Sequence, residues 1–291
     1  MLSGKLEDRV VGTEEEIRQV AIDHHHIVVN KFESWYNDLA SSRFSNAFTY
    51  GRSKIDRMVD ELFESMPRGG KFLDVGCGTG EHLKRAMDHG LKAYGVEPAP
   101  AMREAARRNV SGAVVEDGVA TKLPFPDAQF DVVIMIEVLR YLHHSDVEKA
   151  LSEARRVLKP GGTLLVTLVN RLALDGFYLF QRGRQMLSRD KYNEIHPYCL
   201  FFTPAEARRD LRKAGFVNVR TEGRLLAPLR IAYKISDSFG GSLASALESV
   251  DDRLHRMKWT HPFAGHLIAI GEVPAKASGK VRKPRGTKKP S

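Results

Sequence analysis

Cysteine is nearly absent from this chain of 291 residues: Cys77 and Cys199 are the two present. They are too few for a disulfide framework, so a reducing compartment is expected, with the cytoplasm as the default localisation. Long apolar runs are missing as well. A stretch such as Val132 to Ile136 falls far short of the ~20 residues a membrane helix needs. The first residues show no basic segment followed by an apolar one, so neither a membrane span nor an export signal is expected. A convergent set of metal ligands is also lacking. The run His24-His25-His26 tempts such a reading, but consecutive residues on a helix point in different directions and do not share one ion, so no metal is expected.

Acidic residues are missing from the end of the chain. Of the 45 lysines and arginines, seven lie between Pro274 and Ser291, which leaves 38 to face 36 acidic residues elsewhere. The formal charge of +9 therefore belongs largely to a stretch rich in proline, glycine and serine that cannot build a core. Residues 274–291 are expected to form a disordered basic tail, with weak attraction to RNA or an anionic membrane. The remaining body is close to neutral.

What the chain does have is Phe72-Leu-Asp-Val-Gly-Cys-Gly-Thr-Gly80. Lys71 to Val75 reads as a short buried strand, and the alternate glycines let the backbone turn tightly and approach a ligand closely. Glu81 to His89 then places Leu83, Ala86 and Met87 on one helical face, with Gly90 as its stop. Strand, glycine turn and helix make a nucleotide-binding entry point. A dinucleotide loop offers bare amides to a pyrophosphate, which a neighbouring carboxylate would repel. Here Asp74 and Glu81 flank the loop, and Gly-x-Gly-x-Gly departs from the dinucleotide spacing Gly-x-Gly-x-x-Gly. Both features suit a nucleoside that carries positive charge and no phosphate. S-adenosylmethionine, with an ammonium and a sulfonium, fits.

Lys92 to Val96 reads as a second strand ending at Glu97-Pro98. Glu97 lies 19 residues beyond Gly78, near the spacing of about 20 at which an acid takes a ribose diol. Ala101 to Asn109 is expected to be a helix, Ala113 to Glu116 a third strand, and Val132 to Ile136 a β-branched central strand. Ser145-Asp-Val-Glu148 reads as a capping box for a helix with Leu151, Ala154 and Leu158 inward, followed by a fifth strand from Thr163 to Val169. Thr203-Pro-Ala-Glu206 starts a further helix, and Phe216 to Arg220 and Phe263 to Val273 read as two more strands.

Taken together, Leu73 to Gly80, Gly95-Val-Glu97-Pro98, Leu123-Pro-Phe-Pro-Asp127, Phe130-Asp131-Val-Val, Glu137-Val-Leu139 and Arg156-Val-Leu-Lys-Pro-Gly-Gly162 resemble the class I S-adenosylmethionine-dependent methyltransferases. The likeness is to the branch that includes the ubiquinone and menaquinone biosynthesis enzymes, and it covers roughly residues 70 to 170. It implies an α/β, Rossmann-like sheet of seven mostly parallel strands in the order 3-2-1-4-5-7-6, strand 7 antiparallel, with helices on both faces and a helical lid. It also implies S-adenosyl-L-methionine as cofactor and S-adenosyl-L-homocysteine as product. Gly76, Gly78 and Gly80 would pack against the methionine part and ribose, with Cys77 between them; Asp74 would hold the amino group and Glu97, next to Pro98, the ribose hydroxyls. Ile136 and Glu137, past the fourth strand, would complete the cleft. One position departs from the pattern: where the branch carries Gly-Asp-Ala for the adenine, this chain has Gly118-Val119-Ala120. Asp117 lies two places before the aspartate's position, and backbone groups near Val119 and Ala120 are the other means of contact.

Outside the motifs lie an N-terminal helical cap (1–65) and two lid insertions (171–202 and 225–262) in a methyltransferase domain spanning 66–273. These excursions carry too many apolar residues to be disordered, and they would shield the reacting centre from water. Leu172 to Leu187, interleaved with arginines, reads as a packed lid helix or as a face for a greasy acceptor or membrane surface. Methyl transfer is a direct displacement that depends on alignment, and a base is needed only where the acceptor loses a proton. His196, His143 and Tyr141 are the candidates for that role, with His144 and Tyr198 behind them. Neither Asn-Pro-Pro-Tyr nor Asp-Pro-Pro-Tyr follows the fourth strand, which argues against the amino-group methylases of DNA bases and glutamine. A small, apolar or aromatic acceptor methylated on oxygen or carbon by a monomer or homodimer is expected. The rival readings are an RNA or protein methyltransferase guided by the tail, and a non-catalytic binding module.

Overall fold

The computed structural model describes residues 13–27, 29, 42–187, 199–226 and 229–275. Two helices, α1 (Glu14–Ile27) and α2 (Ala47–Glu64), precede the first strand. Then β1 (Lys71–Val75), α3 (Glu81–Asp88), β2 (Lys92–Val96), α4 (Pro100–Asn109), β3 (Val114–Glu116) and β4 (Phe130–Met135) alternate as the sequence leads one to expect. A short 3-10 turn (Leu139–Tyr141), α5 (His144–Val157) and the long β5 (Leu158–Asn170) follow. The remainder comprises α6 (Phe177–Leu187), β6 (Phe201–Phe202), α7 (Pro204–Lys213), β7 (Val217–Arg224), α8 (Leu229–Ile235), α9 (Asp237–Leu254) and β8 (His266–Glu272).

The strands lie in the order β3-β2-β1-β4-β5-β8-β7, with the two-residue β6 beside the end of β5. β8 runs antiparallel to both β5 and β7, and the other pairings are parallel. With β6 left aside, this is the expected seven-strand order. The register sets Asp74 level with Gly95 of β2 and Ile134 of β4, so the carboxyl ends of the three strands open on one edge. Ligands bind outside that edge in sheets of this kind.

Strand alternation divides the core in two. Leu73, Val75, Val133 and Met135 point to one face, where Leu151 of α5 and Leu211 of α7 cover them. Phe72, Val132, Ile134 and Ile268 point to the other, against Ile55, Val59 and Phe63 of α2 and Leu83 and Ala86 of α3. Asp74 shares the parity of Phe72, so its carboxylate is delivered to the layer between β1, α2 and α3. Helix α2 therefore packs on the sheet itself, with Phe63 edge-on to Phe72 at 4.7 Å between ring centroids. Each such fully buried ring contributes roughly 1.5–3 kcal/mol.

Local capping follows the sequence at one helix and departs from it at another. Thr203 and Glu206 close a reciprocal capping box at the start of α7. At α5 the expected box at Ser145 and Glu148 does not form: the cap lies two residues earlier, at His143, whose ring accepts the Ser145 amide at 3.3 Å. Among the described residues no helix is long and apolar enough to cross a membrane. The tail beyond Ala275 lies outside the described residues.

Candidate active site

The glycine turn between β1 and α3 forms the floor of the site. Gly76 has φ +76°, and a Cβ there would lie 2.7 Å from Val138 Cγ2, so the segment after β4 packs directly on the loop. Gly78 has φ +54° and no atom within 4 Å of where a Cβ would stand, which leaves open space above the backbone. Gly80 immediately precedes α3, and Cys77 is buried between the glycines. Burial, then Asp74 and Glu97, push the Cys77 thiol pKa well up, so it stays a neutral packing group.

Glu97 stands at the end of β2, 6% exposed. Its two oxygens accept the Gly78 amide at 3.0 Å and the Ala99 amide at 2.9 Å. These bonds use two of about four acceptor positions on a carboxylate, and the others remain for a ligand. Burial raises the carboxyl pKa to about 7 against the opposing effect of the two amides. Asp74 is buried too, and its Oδ1 has no hydrogen-bond partner among the described residues. A carboxylate oxygen left so in a water-poor layer is costly unless a ligand supplies a donor.

The expected adenine wall is less regular. Asp117 is exposed, its side chain 3.0 Å from Arg103. Val119 is half-buried and bridges to Lys122, Ala120 and Ile136 are buried, and Pro98 is half-buried beside Glu97. Past β4, Glu137 adopts φ +61°, a conformation costing a non-glycine residue about 1–3 kcal/mol. It is held there by a bond from its amide to Thr167 Oγ1 (2.7 Å), by the Thr167 hydroxyl (3.1 Å) and by Arg140 (2.7 Å). His266 at the start of β8 approaches the same carboxylate to 3.9 Å.

The candidate bases separate clearly. His196 lies outside the described residues, as does Tyr198. His143 caps α5 and contacts the Ser145 hydroxyl at 2.7 Å. His144 is exposed at the helix start. Burial raises the Tyr141 phenol pKa although Arg140 opposes it, so Tyr141 remains protonated near neutral pH. Its ring meets His25 edge-on at 5.0 Å.

His25 belongs to the run first weighed for a metal. Its Nδ1 lies 2.7 Å from the Ala21 carbonyl, which can only accept, so Nδ1 carries the proton and Nε2 the lone pair. Burial lowers its pKa, keeping it neutral. The neighbouring His26 accepts the Ala101 amide at 3.4 Å, so α1 reaches from the β2 end to the β4 end of the edge. The His24 and His25 rings meet edge-on at 5.6 Å, and no group of residues that could hold a metal occurs among the described residues.

The methyltransferase-domain family matches residues 73–166. The ubiquinone biosynthesis O-methyltransferase of Azorhizobium caulinodans is 31% identical over 173 residues, spanning 58% of this chain and 67% of that protein. This chain belongs to the class I S-adenosylmethionine-dependent methyltransferases. S-adenosylmethionine is the cofactor of this methyltransferase. A protein of the same name from Cereibacter sphaeroides is 26% identical over 226 residues, covering 72% of the methyltransferase and 90% of the relative. In fold, the methyltransferase is similar to an S-adenosylmethionine-dependent methyltransferase of Thermotoga maritima (TM-score 0.53, 23% identity, 86% and 98% of the two chains). Phosphoethanolamine N-methyltransferase 2 of Haemonchus contortus, solved with S-adenosylmethionine, is similar at TM-score 0.52, 19% identity and 76% and 52% coverage.

Proposed function

We propose that this methyltransferase acts on oxygen or carbon of a small apolar or aromatic metabolite whose acceptor group loses a proton. The observation that carries the reading is His25, a half-buried neutral imidazole with its lone pair on Nε2, set against Tyr141 beyond the carboxyl end of β4. Relatives named for O-methylation in ubiquinone biosynthesis support the same acceptor class.

The residues present fit the cofactor. Asp74 Oδ1 offers an anionic acceptor for its ammonium, Glu97 offers lone pairs for the ribose hydroxyls, and the open face of Gly78 gives the backbone room beside it. Val119 and Ala120, rather than the exposed Asp117, supply the adenine wall. When bound, the cofactor supplies an electrophilic methyl group on sulfur. The protein's part is alignment and proton removal. Asp74 and Glu97 fix the two ends of the nucleoside, which lowers the entropy cost of bringing acceptor and methyl into line. His25 Nε2 takes the acceptor's hydroxyl proton, while the Arg140 guanidinium, close to the Tyr141 ring at 5.3 Å, favours the developing anion. Helices α1, α6, α8 and α9 limit water at the edge.

The test is turnover with S-adenosylmethionine against phenols, catechols and enols, with RNA, peptides and amines in parallel. Methylated phenol or enol products are expected. Methylation confined to RNA, peptide or amine nitrogen would refute the reading.

A further inference from the structure

His82 is a histidine with a carboxylate at each end. It lies in the first turn of α3, 2% exposed, with Nε2 3.1 Å from Asp56 Oδ1 and Nδ1 3.4 Å from Asp74 Oδ2. An ionised carboxylate only accepts, so each ring nitrogen must carry a proton to serve its neighbour. The surrounding charges favour that state. Helix α2 supplies Arg52, bonded to Asp56 at 3.0 Å and 3.1 Å from both ring nitrogens. On α3 itself Arg85 reaches 4.0 Å from Asp56, but it is bonded to Asp60, with Glu81 at 3.9 Å. Four carboxylates, Asp56, Asp60, Asp74 and Glu81, thus face the two guanidinium groups of Arg52 and Arg85. An imidazolium lowers that excess of negative charge. Burial and Arg52 oppose it, yet the bonds to two carboxylates prevail and raise the His82 pKa.

Asp74 is shared. Its Oδ2 faces His82, and its Oδ1 is a buried oxygen without a partner among the described residues. We propose that His82 is a proton-linked positioning residue: as imidazolium it holds Asp74 with Oδ1 presented to the cofactor, and it releases its proton to solvent when the cofactor's ammonium engages Asp74. The inference rests on the reading of Asp74 as the ammonium site. An imidazolium and an ammonium on the two oxygens of one buried carboxylate are like charges beyond the reach of salt screening. The cluster also serves the neutral ring, because Nδ1–H can stay on Asp74 while Nε2 accepts from Arg52. Binding that releases a proton strengthens as pH rises, by up to about tenfold per pH unit, and levels off above the pKa of His82 in the free protein.

The test uses the whole chain and two nucleosides. S-adenosylhomocysteine keeps the ammonium, and 5′-methylthioadenosine lacks the amino-acid end. Calorimetry in buffers of different ionisation enthalpy, between about pH 6 and 7.5, counts the protons released by each. The expected result is a greater release with S-adenosylhomocysteine, approaching one proton, and loss of that excess in His82→Gln. Release linked to Glu97 arises at the nucleoside, is common to both ligands, and cancels. Equal proton counts for the two ligands in the unaltered protein would overturn the proposal, whether or not the variant folds. An excess that persists in folded His82→Gln would overturn the assignment to His82. Absence of S-adenosylhomocysteine binding would instead bring down the reading of the cofactor site and the inference with it.

Discussion

At Glu97, one buried side chain answers to two demands under the proposed function: it bonds the Gly78 and Ala99 amides, and its remaining lone pairs would serve the ligand. Glu97→Ala is expected to weaken S-adenosylmethionine binding by about 1–3 kcal/mol through lost charge-assisted bonds, read as the dissociation constant; an unaltered value would remove Glu97 from the ribose. His25 gives a prediction in pH. Because its folded pKa lies below the ordinary histidine value of about 6.5, the neutral, basic form persists below that pH. Turnover should fall on acidification with a midpoint under about 6.5, and His25→Asn should abolish that limb while cofactor affinity is retained. The buried placement of Asp74 and Glu97 beside the glycine turn was legible in the sequence because both stand at fixed offsets from the glycines. His82 and His25 were not. A histidine bridging β1 to α2 has no local signature, since Asp56 is 26 residues away, and a run of three histidines says nothing of which one faces a tyrosine.

Among elements, α5 shows how a cap is misread. Ser145-Asp-Val-Glu148 has the spacing of a capping box, but His143, two positions before Ser145, supplies the cap acceptor and the helix starts at His144. His143→Ala should therefore cost about 1 kcal/mol of stability, measured by denaturant unfolding, and leave the rate of methyl transfer at saturating substrates unchanged. Helix α2 tests packing instead. Phe63 is 1% exposed against Phe72, Leu83 and their neighbours, and Phe63→Ala should lose about 3–5 kcal/mol through lost burial and a residual cavity. A loss below about 1 kcal/mol would mean that α2 is not seated on the sheet. The strands were readable because short apolar runs between turn residues leave little choice. The ends of β5 and β7 were not: the extra residues of β7, Thr221 to Arg224, are drawn into the sheet by the antiparallel partner β8, and those of β5 by pairing of Leu158 with β4 and of Asn170 with β6.

For the whole molecule, the sheet order was legible through the motifs of one third of the chain, whereas the two insertions were visible only as lengths of apolar sequence without a partner. The partners are now specified. Leu225, Leu229, Tyr233 and Ala244 pack with Tyr50 of α2, and Val169 packs with Cys199 and Phe201. Asn170 at the end of β5 donates to the Pro262 and Ala264 carbonyls, fixing the approach to β8. None of these contacts has a sequence offset that recurs, so periodicity could not find them. The face of α2 turned to α9 carries Lys54, 2% exposed between Glu248 and Asp252, while Arg52 and Asp56 reach to His82. The boundary drawn after residue 65 thus divides a packed layer, and it matters to anyone trimming the chain. Residues 66–273 alone would expose the Phe72 face, strip His82 of its Asp56 partner and leave α9 with two unanswered carboxylates. Such a fragment is expected to aggregate and to show no S-adenosylmethionine binding by calorimetry, whereas residues 42–275 retain these partners and should bind. The smallest transplantable unit of this enzyme begins upstream of its signature motif, with the helix that the motif does not announce.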